Sequence, residues 1–162
     1  MDENNSGTKV DLLKRKHPAH PAPLQKHNHP IIIFLTVCTA NRSRLLDNHD
    51  AHYALVNAWK QADAWTVGYY MIMPDHIHLF CSPKKINGIS LKHWVVFWKR
   101  SVAREYSAIK GQWQNDFWDT QIRSVVHLQQ KTEYVRNNPV RWGLSNTPET
   151  WPYKGIMSRL AW

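Results

Sequence analysis

Val67-Gly68-Tyr69-Tyr70-Met71-Ile72-Met73-Pro74-Asp75-His76-Ile77-His78-Leu79-Phe80-Cys81 places two short apolar runs, Val67 to Met73 and His76 to Cys81, on either side of a Pro-Asp pair. A turn pair at that spacing predicts a hairpin of two antiparallel strands. On the second strand alternate side chains share a face, so His76 and His78 project together while Ile77 and Leu79 pack on the other side. Upstream, Ile31 to Thr39 is rich in β-branched residues and predicts a buried strand with its exit loop at Ala40-Asn41-Arg42. Downstream, Phe117 to Ile122 reads as a shorter strand.

Helical spacing fills the intervals. After Asp47-Asn48-His49-Asp50, the residues His52, Leu55, Val56, Trp59 and Ala62 recur on one helical face behind a plausible cap. After Gly88-Ile89-Ser90, the residues Leu91, Trp94, Val95, Trp98 and Val102 do the same, leaving Lys92, Lys99, Arg100 and Arg104 largely off that stripe. A last helix runs roughly from Val125 to Asn138, and Pro139 is expected to stop it. The resulting string is βαββαβ followed by a helix. It predicts an α+β protein of ferredoxin-like arrangement, an antiparallel sheet with two helices on one face, plus a C-terminal helix. Residues 1–30, rich in Pro, His and Lys, form an extended, flexible basic arm in this reading, and 31–162 form a single domain. The tail around Trp151-Pro152-Tyr153 is expected to fold back on the domain.

Composition narrows the class. With 162 residues, 43% of them apolar, and 9 Trp, the chain has material for a real core, which excludes a disordered tail or a disulfide-stapled miniature. Trp59, Trp94 and Trp98 belong to that core by their periodicity. The longest strongly apolar run, Ile31 to Leu35, falls far short of the ~20 residues that span a bilayer. No membrane helix is expected, and the polar N-terminus predicts a cytoplasmic protein. Cys38 and Cys81 both lie in apolar stretches and read as buried free thiols. Of the net charge of +9, the segment 84–110 carries +6, through Lys84, Lys85, Lys92, Lys99, Arg100, Arg104 and Lys110 against Glu105. That concentration predicts a surface facing a polyanion, with a merely solvated helix face as the alternative.

Two features bear on chemistry. His76 and His78 make half a metal site, or else two half-exposed strand histidines. A histidine-triad nucleotide hydrolase needs a third alternating His where Phe80 stands, and no second His-x-Thr/Ser element supports a two-motif phosphodiesterase. The second feature is Lys131-Thr132-Glu133-Tyr134-Val135-Arg136-Asn137-Asn138-Pro139-Val140, in which helical spacing puts Gln130, Tyr134 and Asn138 on one stripe. A phenol attacks a phosphodiester poorly unless a bound metal polarises the phosphate, and an amide oxygen one turn away can complete the shell begun by two imidazoles. The alternative is an ordinary tyrosine at the edge of the core.

Pro74-Asp75-His76-Ile77-His78 together with Tyr134-Val135-Arg136-Asn137-Asn138-Pro139-Val140-Arg141-Trp142-Gly143-Leu144 resembles the HUH single-tyrosine transposases, particularly the REP-associated tyrosine transposase branch. Trp113, Phe117-Trp118, Ile122-Arg123 and the strand ending near Asn41-Arg42 share the likeness, which covers about Ile31 to Tyr153. The resemblance implies that His76 and His78 bind a divalent metal, Mg²⁺ or Mn²⁺, with Asn138 as third ligand and Asn137 as the alternative. It implies that Tyr134 attacks single-stranded DNA to give a 5′-phosphotyrosine and a free 3′-OH, and that the substrate is palindromic DNA extruded as a hairpin. It also implies a homodimer. The expected DNA contacts are Lys14, Arg15 and Lys16 in the arm, Arg42, Lys92, Lys99, Arg100 and Arg104, and Arg123. A rolling-circle type nickase shares this chemistry, and a non-catalytic single-stranded nucleic-acid-binding module of RNA-recognition-like fold shares the βαββαβ order.

Overall fold

In the computed structural model, the residues described are His20, Pro23 and 30–162. Lys14, Arg15, Lys16 and most of the arm fall outside them. The chain runs β1 (Ile33–Cys38), α1 (His49–Gln61), β2 (Trp65–Ile72), β3 (His76–Pro83), α2 (Leu91–Glu105), β4 (Trp118–Gln121), α3 (Val125–Arg136), α4 (Asn138–Arg141) and β5 (Lys154–Ile156). The strands form one sheet in the order β4-β1-β3-β2-β5, with every neighbouring pair antiparallel. Its first four members keep the ferredoxin-like order. The Pro74-Asp75 turn closes as expected, with Met73 N–H donating to His76 O at 2.8 Å.

Each long helix starts where a short polar side chain can replace a missing backbone acceptor. Asn48 Oδ1 accepts from Ala51 N–H at 2.9 Å, Ser90 Oγ from His93 N–H at 3.3 Å and Ser124 Oγ from His127 N–H at 3.0 Å. The helices α1 and α2 bury Leu55, Trp59, Trp94, Val95, Trp98 and Val102 against one sheet face, which presents Ile33, Leu35, Val37, Ile77 and Leu79. The other face carries Ile32, Phe34, Met71, Met73 and Phe80, covered by Val135 of α3 and by Trp151. Strict alternation fails once, between Val67 and Tyr70, where the register of β2 slips against β3. A bulge there lets Val67 and Tyr70 serve the same core although three residues apart.

The two helices expected on one face, α1 and α2, share it, and the C-terminal helix, α3, lies across the sheet from them. Two details differ from the expectation. Pro139 does not end helical structure; α3 ends at Arg136, Asn137 forms a joint at φ −85°, ψ −1°, and a short helix resumes through the proline. Proline lacks an N–H, and a first turn needs none, so the same residue that interrupts one helix opens the next. The tail adds a fifth strand, with Tyr70 opposite Gly155 and Ile72 N–H donating to Tyr153 O at 2.8 Å. Trp151 pins this return by donating its indole N–H to Ile72 O at 2.9 Å. Cys38 and Cys81 are buried free thiols. Among the described residues no helix is long and apolar enough to cross a membrane.

Candidate active site

The histidine pair lies on the sheet face away from α1 and α2. In the β1–β3 register Thr36 stands opposite His78 and Cys38 opposite His76, so those four side chains share the face that carries Phe34 and Phe80. The two imidazoles meet edge to face, with ring centroids 4.7 Å apart. Both are buried.

Their outer nitrogens are fixed by neighbours. His76 Nδ1–H donates to Asp75 Oδ1 at 2.6 Å, and Asp75 is gripped in turn by Arg42 Nε at 2.8 Å and Nη2 at 3.3 Å. His78 Nδ1 is hydrogen-bonded to Thr36 Oγ1 at 2.8 Å. With both Nδ1 atoms engaged, Nε2 is the ring nitrogen left for a ligand on each imidazole. Arg42 reaches Asp75 from a turn in which Asn41 (φ 53°) and Arg42 (φ 54°) are both left-handed. Neither is glycine, so that turn costs on the order of 1–3 kcal/mol per residue, a strain held here beside the histidine pair.

Electrostatics keeps the pair neutral. Burial pushes His78 well below its ordinary value, and the nearby charges of His76, Arg141, Arg42 and Lys131 push the same way. Burial also lowers His76, opposed in part by Asp75. Burial alone raises the Asp75 carboxyl, yet its hydrogen bonds to Arg42 and His76 outweigh that and hold it below the ordinary carboxylate range. Neutral imidazoles beside an ionised carboxylate are the protonation states that metal ligation requires.

A testable pH dependence follows. The native His78 has a lower affinity for protons than the unfolded chain, whose histidines titrate near ~6.5. Above that value its contribution to stability is complete; as pH falls below it, protons favour the unfolded state, at up to about 1.4 kcal/mol per pH unit. Thermal unfolding measured between pH 7.5 and 5 is therefore expected to fall more steeply for the unaltered chain than for His78→Gln. Parallel curves overturn this account of the pair.

Tyr134, on α3, is half exposed and places its ring centroid 6.1 Å from that of His78. Arg141, on α4, lies over the Tyr134 ring at 4.1 Å and donates from Nη2 to Tyr134 O at 2.8 Å. The Trp142 ring lies 5.7 Å from that of His76. Lys131 sits over the Phe34 ring at 5.3 Å, and Phe34 stacks on His78 at 5.3 Å. Asn138 is buried at the start of α4, and among the described residues its side-chain oxygen has no hydrogen-bond partner. Asn137 has its amide turned back on Glu133, to the backbone oxygen at 3.0 Å and to Oε1 at 2.5 Å.

His76 and His78 are neutral imidazoles and Asn138 carries a buried amide oxygen, groups of the kinds that ligate divalent cations. A buried amide oxygen without a partner costs roughly 1–3 kcal/mol unless something accepts its lone pairs. Among the described residues no group of three or more His, Cys, Asp or Glu side chains is arranged to hold a metal. A set of two imidazoles and one amide lies outside that description.

The basic residues divide. Lys92, Arg100 and Arg104 are exposed, but α2 lies across the sheet from the histidine pair. Lys99 corrects the sequence reading: it is buried, its ammonium donates to Gln114 O at 2.9 Å and lies 5.8 Å from the Trp113 ring centre, and burial lowers its pKa to about 8. It braces a loop and presents no charge to a polyanion. Arg42 is half exposed and committed to Asp75, while Arg123 is exposed just before α3. The cations that do surround the pair are Arg42, Lys131 and Arg141. Sequence reasoning passed over Lys131, Arg141, Trp142, Thr36 and the role of Asp75. For Lys131 the available signal was its spacing of −3 from Tyr134, one helical turn along the same stripe; Arg141 lies beyond the joint at Asn137, where helical spacing from Tyr134 no longer applies.

No family profile matches the chain. Two curated proteins do resemble it. The REP-associated tyrosine transposase of Escherichia coli (strain K12) is 23% identical over 126 residues, 74% of this chain and 73% of that one. A putative REP-associated tyrosine transposase of Haemophilus influenzae is 25% identical over 122 residues, covering 62% of this chain and 68% of its own. The relatives are REP-associated tyrosine transposases. The fold agrees: the solved structure of a REP-associated tyrosine transposase bound to a REP hairpin superposes with a TM-score of 0.65, covering 81% of each chain at 19% identity. The five-stranded antiparallel sheet described above is thus the fold of these transposases.

Proposed function

We propose that this chain is a metal-dependent single-strand DNA endonuclease and strand transferase that cuts hairpin-forming DNA through a 5′-phosphotyrosine. The observation that carries the reading is the half-exposed Tyr134 ring set against a buried, neutral histidine pair. The named relatives, and the hairpin held by the solved transposase, support it.

His76, His78 and Asn138 would hold the cation, which supplies Lewis acidity at the phosphate to be cut. The protein's own groups do the rest. Tyr134 Oη forms a bond to phosphorus as the P–O3′ bond breaks; the phenol loses its proton and the departing 3′ oxygen ends protonated. Arg141 steadies the tyrosine ring from above and places positive charge beside the phosphate. Asp75 and Thr36 keep the imidazoles in one orientation throughout. Attack of a 3′-OH on the phosphotyrosine reverses these bond changes and joins DNA strands while freeing Tyr134. Arg42, Lys131 and Arg141 are the phosphate contacts nearest the reaction, with Arg123, Lys92, Arg100 and Arg104 further along a bound duplex stem.

The test uses a labelled hairpin oligonucleotide with a single-stranded flank. In Mn²⁺ or Mg²⁺ a covalent adduct that survives denaturing electrophoresis is expected, and EDTA is expected to abolish it. Tight binding with no adduct in either metal points instead to a non-catalytic binding module and overturns the proposal.

A further inference from the structure

Trp142 sets itself apart from every other tryptophan. All nine are described; five are buried, Trp113, Trp118 and Trp162 are half-buried, and Trp142 alone is exposed, at 54%. An exposed indole beside a candidate site offers a flat apolar face on which another planar group can stack. Among the described residues its one aromatic neighbour is His76, at 5.7 Å. Tyr134 touches the other imidazole, His78, and makes no ring contact with Trp142. The four rings thus succeed one another as Trp142, His76, His78 and Tyr134, with the nucleophile at one end and an unfilled stacking surface at the other.

That order has a polarity. In an in-line displacement at phosphorus the attacking and departing oxygens lie on opposite sides of the phosphoryl group. If the phenol approaches from the His78 flank, the 3′ oxygen departs toward the His76 flank. From this, and resting on the reading of Tyr134 as nucleophile, we infer that Trp142 stacks on the base of the nucleotide that ends in the departing 3′-OH. Trp142 is a substrate-positioning residue. It holds the cleaved 3′ end in the site after the P–O3′ bond has broken, so that this end, rather than water or a stray strand, is the one available to attack the phosphotyrosine. Stacking on an indole tolerates any base, so the contact fixes where the strand is cut without reading its sequence.

The experiment places 2-aminopurine, one position at a time, in the single-stranded flank of the hairpin oligonucleotide, whose scissile position is mapped from the adduct formed by the unaltered chain. Fluorescence is then read without added metal, on full-length chains carrying Tyr134→Phe so that nothing is cut. Quenching is expected at the nucleotide immediately 5′ of the scissile phosphate, to be lost at that position alone in Tyr134→Phe/Trp142→Ala and largely restored in Tyr134→Phe/Trp142→Phe. In the cleavage assay, Trp142→Ala alone is expected to raise KM roughly tenfold for an ordinary substrate, and by much less for one that is abasic at that nucleotide. Quenching that persists at that position in the alanine variant overturns the inference. So does an equal loss at every position, which means general loss of binding. An unaltered chain that forms no adduct at all refutes the catalytic reading instead, so the two failures are told apart.

Discussion

In a chain carrying Tyr134→Phe, covalent capture of the cleaved hairpin oligonucleotide is expected to fall below detection, a loss of at least about a thousandfold, while affinity for uncut DNA is expected to stay within about twofold. The substitution removes one oxygen. The ring remains against His78 at a centroid separation of 6.1 Å, and Arg141 keeps its seat over that ring and its hydrogen bond to the backbone of residue 134. Half-exposed, the side chain contributes little to the core, so thermal stability is expected to change by less than about 0.5 kcal/mol. The measurement is adduct yield under denaturing conditions beside a binding isotherm on the same DNA. An adduct that survives the substitution assigns the nucleophile elsewhere. Tyr53 is similarly exposed, but it sits on α1, across the sheet from the histidine pair, which makes it a natural negative control.

Most of what places Tyr134 and the histidines was legible in the chain, because it rests on local rules. A Pro-Asp pair between two apolar runs leaves little choice but a hairpin, and alternation along His76 to Leu79 then sorts the imidazoles from the aliphatics. The same alternation held information that the charge count obscured. If Ile77 and Leu79 pack beneath the amphipathic helices, the histidines must face away from them, and the +6 concentrated in segment 84–110 cannot stand beside the site. Lys99 shows a second limit of counting charges. Helical spacing from Val95 puts it at the edge of the apolar stripe, where a long aliphatic stem can be buried if a backbone oxygen meets the ammonium. Only tertiary structure supplies Gln114 O at the right place.

The joint at Asn137 was hidden for a different reason. Proline is a signal both for ending a helix and for beginning one, and Asn137-Asn138-Pro139 does both within a few residues. The bulge in β2 and the fifth strand, Lys154–Ile156, depend on contacts far apart in sequence and leave no periodic trace. Resemblance supplied the roles of His76, His78, Tyr134 and Asn138 together. What geometry adds is the support around them: Asp75 held by Arg42, Thr36 behind His78, and Arg141 over the tyrosine.

Asn138→Leu should separate folding from cation binding. A buried polar atom without a partner is a cost that a globular chain removes unless it serves some purpose. Leucine has the same branching and number of heavy atoms and no oxygen to leave stranded, so the cation-free variant is expected to be as stable as the unaltered chain or more stable, by up to about 1–3 kcal/mol. On the proposed reading the unaltered chain is expected to gain stability from a cation that binds only its folded form, about 2.7 kcal/mol when Mn²⁺ stands at a hundred times its Kd. That gain is expected to vanish in Asn138→Leu at the same Mn²⁺ concentration, and adduct formation with it. Thermal unfolding with EDTA and with Mn²⁺ reads both effects on one sample. A variant destabilised without metal shows that the amide is a structural group, and one that keeps the full Mn²⁺ shift shows that the cation is held without it. In either case Asn137, whose amide nitrogen donates to Glu133 while among the described residues no hydrogen bond engages its side-chain oxygen, is the next residue to vary.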